Sequence, residues 1–236
     1  AEYEAVFESN TSQKAFEEDV LLAGFGSAPT KSEGSAISYD DAGQQWTARY
    51  QHETVALAFS ITEEAEEDGQ YGSIASRYTK ALARSMASTK EIKAANVLNN
   101  ATSANIGDGT TLLSTSHPTQ NGNQSNTLAT AADLSETSLE AILIQIADMK
   151  DERGLRIAAQ GTKLVIPTAY TFVAERLLES QLRTGTADND INAIKSGGYL
   201  PGGYHVMRRL TDADAFFVLT DVPDGLKMFQ RSPMKK

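Results

Sequence analysis

Trp46-Thr-Ala-Arg-Tyr-Gln-His-Glu-Thr-Val-Ala-Leu-Ala-Phe-Ser-Ile-Thr62 reads as one extended run. Val55, Leu57, Phe59 and Ile61 alternate with small residues, the period of a strand. In the first half Trp46 and Tyr50 share one parity, and Thr47, Arg49, Gln51 and Glu53 share the other. Fully extended, the run would reach roughly 55 Å, whereas an ordinary strand has about 5–6 residues. Upstream, Ala36-Ile-Ser-Tyr39 and the polar turn Asp40 to Gln45 make it the second arm of a long hairpin. A small core cannot cover such a hairpin. Its polar, aromatic-dotted half is therefore expected to project and to need a partner; the alternative is a bent strand shared by two sheets.

Downstream, the acidic run Glu63-Glu-Ala-Glu-Glu-Asp68 precedes a helical segment from about Tyr71 to Asn100, with no Pro and no Gly after Gly72. At about 1.5 Å per residue it would span roughly 45 Å. Ile74, Tyr78, Leu82, Met86 and Ile92 fall near one face. Residues 101–132 are rich in Thr, Ser, Asn and Gly and read as a long irregular stretch, which in a compact protein is usually functional or disordered. Asp133-Leu-Ser-Glu136 has capping-box spacing. Leu139, Ile142, Leu143 and Ile146 form a helical stripe, with Gly154 as the expected stop. Lys163-Leu-Val-Ile-Pro167 is a buried-type strand, and Tyr170, Val173, Ala174, Leu177 and Leu178 share the face of a second helix. Residues 180–203 are loop-like. Strand-like runs at 204–210, 215–220 and 226–231 follow, the last two separated by the turn Val222-Pro-Asp-Gly225. The order predicts an α+β fold.

Composition narrows function before any site is found. The 236 residues carry 21 Lys plus Arg against 31 Asp plus Glu, a formal charge of −10. Such a chain is poorly suited to wrapping nucleic acid through phosphate contacts. Without Cys there is no disulfide, thiolate metal site or thiol nucleophile. The longest apolar run, Val20 to Phe25, is far short of the roughly 20 residues of a membrane span.

Catalytic, cofactor and metal signatures do not assemble. G-x-S-x-G and G-x-x-x-x-G-K-[ST] are absent. His52, His117 and His205 are not at ligand spacing and read as structural residues. Asp188-Asn-Asp-Ile-Asn192 opens like a calcium loop but has Ala193 where the turn needs Gly. The run from Glu63 to Asp68 could attract a cation or a basic neighbour; more often such a run is a solvated helix start. What remains is shape: a hairpin, a long helix and loops that one subunit cannot all pack, suited to burial against copies of the same chain.

Several strings resemble the major capsid protein of tailed bacteriophages, in the subfamily seen in many prophages. Lys80-Ala-Leu-Ala-Arg-Ser-Met86 and Lys90-Glu-Ile-Lys-Ala-Ala-Asn-Val-Leu-Asn-Asn100 are similar to that family's spine helix. Leu112-Leu-Ser-Thr-Ser-His-Pro118 and Ser125-Asn-Thr-Leu-Ala-Thr130 resemble the loop after it. Asp133 to Glu140, Asp151-Glu-Arg-Gly154, Leu164-Val-Ile-Pro167, Ala187 to Ala193, Leu200-Pro-Gly-Gly-Tyr204, Leu210-Thr-Asp212, Leu219-Thr-Asp221, Gly225-Leu-Lys227 and Phe229-Gln-Arg231 continue the match in order.

The resemblance implies the shell-building fold of such capsids. It implies an N-terminal arm at 1–26, an extended loop at 27–62, a peripheral domain at 63–105 and 222–236 with the spine helix, and an axial domain at 106–221. It implies self-assembly as hexamers and pentamers of an icosahedral virion shell, built in the bacterial host cytoplasm. That shell would enclose double-stranded DNA without sequence-specific binding and without a membrane. Scaffolding, portal and decoration proteins are the expected partners. Lys-to-Asn crosslinking is not carried over, because the expected tip, Asp40 to Gln45, has no Lys. In such proteins the chain extends beyond both ends seen here, so both read as cut short.

Within that frame the expected inter-subunit contacts are three. Trp46, Arg49 and Tyr50 would lie over the adjacent subunit, being hot-spot residue types. Glu63, Glu64, Glu66 and Glu67 would sit near a neighbour's basic residues. Asp188, Asp190 and Asn192 would line the symmetry centre. Two rivals stay in play: a monomeric carbohydrate- or partner-binding module using 101–132, and a hydrolase centred on His117, which needs a shielded His with an acid partner in a pocket.

Overall fold

The computed structural model describes residues 1–67, 71–183 and 190–233. In chain order the elements are β1 (Glu8–Thr11), β2 (Phe16–Ala23), β3 (Gly43–Gln51), α1 (Glu63–Glu67), α2 (Tyr71–Asn99), β4 (His117–Thr119), β5 (Gly122–Gln124), α3 (Glu136–Ala147), β6 (Gly161–Ile166), α4 (Thr171–Glu179), α5 (Ala193–Gly197), β7 (Tyr204–Val206), β8 (Phe217–Thr220) and β9 (Lys227–Gln230). Short 3-10 turns lie at Tyr3–Ala5 and Thr168–Tyr170.

The apolar string Leu164-Val-Ile166 organises the interior. As β6 it runs parallel to β7 and antiparallel to β8, so the sheet order is β7-β6-β8. Successive strand side chains point to opposite faces. Leu164 and Ile166 accordingly join Leu139, Ala174, Leu178, Ile194 and Leu200 in one core, roofed by α3, α4 and α5. Val165 joins Met207, Ala94, Ala95, Leu98, Tyr3, Val6 and Phe7 in the other, built from α2 and the N-terminus. The result is an α+β body of three layers, with β6 buried on both sides.

The ends of the chain close the second core. β1 pairs in parallel with β9, from Glu8 opposite Lys227 to Thr11 opposite Gln230. Glu91 on α2 accepts the backbone N–H groups of Glu2 and Tyr3, and Glu2 pairs with Arg208. Residues 1–12, expected as the start of an arm, are thus built into the body, because Tyr3, Val6 and Phe7 supply apolar surface that α2 alone lacks.

The hairpin differs from expectation in its partner strand. β3 pairs with β2, Glu17 opposite Tyr50 and Glu18 opposite Arg49, with an irregularity between Val20 and Leu22. Ala36 to Tyr39 forms no strand. The hairpin therefore starts before residue 27, and its connection is the long stretch 24–42 rather than a turn at 40–45. The alternating run Val55 to Ile61 is unpaired; it meets α2 instead, with Phe59 edge-on to Tyr78 at 5.7 Å between ring centres.

α2 matches the expected long helix, about 43 Å of it. Its buried face is not the expected one. Ala94, Ala95 and Leu98 are buried, while Tyr78 and Ile92 are exposed. Small alanines let the helix approach the N-terminal aromatic residue pair closely, a gain that larger side chains would prevent. α3 is capped by Ser135, whose side chain accepts from the Ser138 backbone while Ser138 answers, so the box begins two residues later than Asp133. It ends at Ala147, and Gly154 instead serves the turn from Asp151 to Leu155.

Candidate assembly surfaces

The hairpin lies along its own body rather than away from it. On β3 the inward residues are Trp46, Ala48 and Tyr50, and the outward ones are Thr47, Arg49 and Gln51. At the base, Lys227 of β9 bonds Asp19 of β2 at 2.9 Å and Asp224 at 2.6 Å. Those carboxylates, Asp224 foremost, hold the ammonium well above the usual lysine range. Tyr50 packs on Phe229 with ring centres 5.2 Å apart, and burial together with the Asp19 carboxylate pushes its phenol up. Midway, the indole of Trp46 covers Gly107: a Cβ built there would fall 2.6 Å from Cε3. At the far end, Asp40 accepts the Gly26 N–H at 2.8 Å and pairs with Arg153. These two hydrogen bonds draw its carboxyl below the ordinary range.

Trp46 and Tyr50 pack within the chain but stay half-buried, so each keeps surface that a neighbour could still cover. Arg49 keeps an outward place, bonded to Glu18 at 2.7 Å and lying over the Phe16 ring at 4.4 Å. The hairpin does present apolar surface, part of it in the run before Gly26 that reads in the sequence as a short strand or an arm lying on a neighbour. Leu22 is 67% exposed, Phe25 60%, Ile37 69% and Tyr39 94%.

Glu63, Glu64 and Glu67 are exposed on α1. The side chain of Glu66, and all of Asp68 and Asp188, lie outside the described residues. Asp190 is exposed, and its carbonyl accepts the Arg183 N–H at 2.9 Å. Asn192 is only 5% exposed. Its side chain caps α5 by accepting from Ile194 and Lys195, and donates to the Leu177 and Ser180 carbonyls. All of its hydrogen-bonding capacity is used inside the subunit.

The hydrolase rival meets a partial match. His117 Nδ1 lies 2.6 Å from Asp108 Oδ2, and Thr110 Oγ1 lies 3.1 Å from the same nitrogen. Burial raises the Asp108 pKa, but the hydrogen bonds from His117 and Thr110 outweigh it and leave the carboxyl below its usual value. Acid and hydroxyl crowd one nitrogen, however, while Nε2 is sealed from solvent with no partner. A triad needs the nucleophile on the nitrogen opposite the acid. The cluster instead pins the turn that carries Gly107. Polar side chains of 101–132 do similar internal work: Asn126 bonds the Ser114 N–H and the Leu112 carbonyl, and Gln124 bonds the carbonyls of Lys150 and Asp151. That use leaves the binding-module rival little support. Among the described residues no His, Asp or Glu cluster could hold a metal, and no helix is long and apolar enough to cross a membrane.

A family model described as phage capsid protein matches residues 45–234. The chain belongs to the phage capsid protein family. Its fold is that of assembled phage shells. The capsid of bacteriophage JBD30 decorated with minor capsid protein trimers superposes with a TM-score of 0.66 at 14% identity, over 89% of this chain and 90% of that one. A second bacteriophage JBD30 capsid structure gives 0.65 at 14% identity, over 87% and 89%. No curated protein matches. The capsid family and fold are structural rather than enzymatic.

Proposed function

We propose that this capsid chain assembles as hexamers and pentamers into an icosahedral shell that encloses double-stranded DNA in the virion. Exposed area carries the reading. The chain presents 15737 Å² to solvent. A compact monomer of its 25.4 kDa would present about 10,300 Å². The surplus of about 5,400 Å² equals several standard interfaces, each removing about 800 Å² from one partner. Large apolar residues stand exposed on the hairpin and α2, among them Val20, Leu22, Tyr78 and Ile92.

In this reading the hairpin with its 24–42 connection is the extended loop. α2 with residues 63–105 and the returning strand β9 form the peripheral domain, and residues 106–221 form the axial domain. The exposed loop at Asp190 faces the symmetry centre. The charge of −10 suits a container wall that does not grip its contents. The trimers on the JBD30 capsid support a decoration protein as a further partner here; scaffolding and portal proteins would act during assembly in the host cytoplasm.

Velocity sedimentation and electron microscopy of the purified chain test this. Closed particles with five- and six-fold clusters are expected. A monomer at every concentration, or a chain that binds DNA tightly and salt-sensitively as an isolated subunit, would contradict it.

A further inference from the structure

The sequence splits sharply by sign around α1 and α2. Residues 51–70 hold six Asp or Glu and no Lys or Arg, and residues 71–90 hold Arg77, Lys80, Arg84 and Lys90 with no acid. Arg77, Lys80 and Arg84 fall at i, i+3 and i+7, which places them on one helix face over about 10 Å. All three are exposed and, among the described residues, form no ion pair. Like charges at these spacings repel along a helix. The segment is also thinly covered: Phe59 packs on Tyr78 and Glu91 holds the N-terminus, yet no described residue from Ile74 to Lys93 is buried. A helix draws most of its stability from packing, and isolated ones shorter than about 12–15 residues are marginal. On this face three cations stand unburied and, among the described residues, unpaired, and a partner outside the chain can supply both burial and counter-charge.

The chain itself offers the complement. Glu63, Glu64 and Glu67 are exposed carboxylates without an ion pair among the described residues. We infer that the Arg77–Lys80–Arg84 face of α2 docks the Glu63–Glu67 segment of a second copy. The inference rests on the shell reading and names two contacting surfaces within it. Because the acidic segment of one copy meets the basic face of the next, every contact leaves both ends free for another. Such a head-to-tail interface repeats until it closes into a ring. Duplex DNA could also neutralise the face, but the acidic block just before it and the net charge of −10 oppose a long polyanion.

Charge reversal and rescue test the inference in the whole chain. Arg77→Glu with Lys80→Glu and Arg84→Glu should lower the sedimenting, assembled fraction by about tenfold or more at moderate salt, and so should Glu63→Lys with Glu64→Lys and Glu67→Lys. Combining the six changes restores the complement and should restore assembly. Each variant's helicity is checked by circular dichroism. Should a reversal fail to fold, the neutral Arg77→Gln, Lys80→Gln, Arg84→Gln chain takes its place, with reduced assembly and a flattened salt dependence expected. Assembly like the unmodified chain in either reversal, or no rescue in the combination, overturns the inference. So does a neutral variant that assembles normally but loses DNA, which would make the face a nucleic-acid surface. Failure of the unmodified chain to assemble would instead strike the shell reading.

Discussion

Gly107 leaves room for the only tryptophan of the chain, and that missing side chain seats the hairpin. Gly107→Ala would put a methyl inside the contact distance of the Trp46 ring. It should cost about 1–3 kcal/mol and red-shift the indole emission as the ring leaves its seat. Unchanged emission and melting would refute the seating. The turn beneath is held by Asp108. Its carboxyl has a folded pKa below the unfolded one, so it stabilises above the unfolded pKa and loses that contribution as pH falls through the folded value. The melting gap between the native chain and Asp108→Asn should be full near pH 6 and shrink below about pH 4. A gap that widens on acidification would reverse the assignment. Asn192→Ala should cost about 2 kcal/mol, since a helix cap and two buried bonds go together. Sequence could nominate Asn192 as a polar residue at a helix start, and that local role is the one it has. Nothing in its neighbours announced the Leu177 and Ser180 carbonyls 15 and 12 residues away.

At the scale of elements, the legible features were those set by local period. The extent of α2 follows from a long stretch without breakers, and β6 from three apolar residues closed by Pro167. Partner choice was not legible, because it is decided between distant segments. Ala36 to Tyr39 and Phe16 to Ala23 are both extended-type strings, and only packing selects the second for β3. Val55 to Ile61 has strand alternation but no strand beside it; Phe59 packs edge-on to Tyr78 of α2, while Val55 and Leu57 stay exposed. The buried face of α2 escaped because alanine contributes little to an apolar stripe. Ala95 has no exposed surface, so Ala95→Leu should lower stability by about 1–3 kcal/mol through overpacking against the N-terminal residues. A neutral effect in a denaturant melt would mean that α2 and the N-terminus are less closely packed than described.

For the whole molecule, exposed area and function are one question. The exposed apolar residues of the hairpin connection, Phe25, Ile37 and Tyr39, and the thinly covered first two-thirds of α2 are the surfaces that burial in a shell would favour. Ile37→Ala with Tyr39→Ala should change the melting of the isolated chain by no more than about 0.5 kcal/mol, because neither side chain is buried there. It should still reduce the assembled fraction, as read by sedimentation. Hydrogen exchange compared between assembled particles and dissociated subunits of the same chain tests the central claim most directly. Assembly should slow exchange selectively in residues 24–42 and 74–93 and leave β6, already buried on both faces, unchanged. Equal exchange of those two segments in both states would show that neighbours do not cover them, and the surplus surface would have lost its explanation.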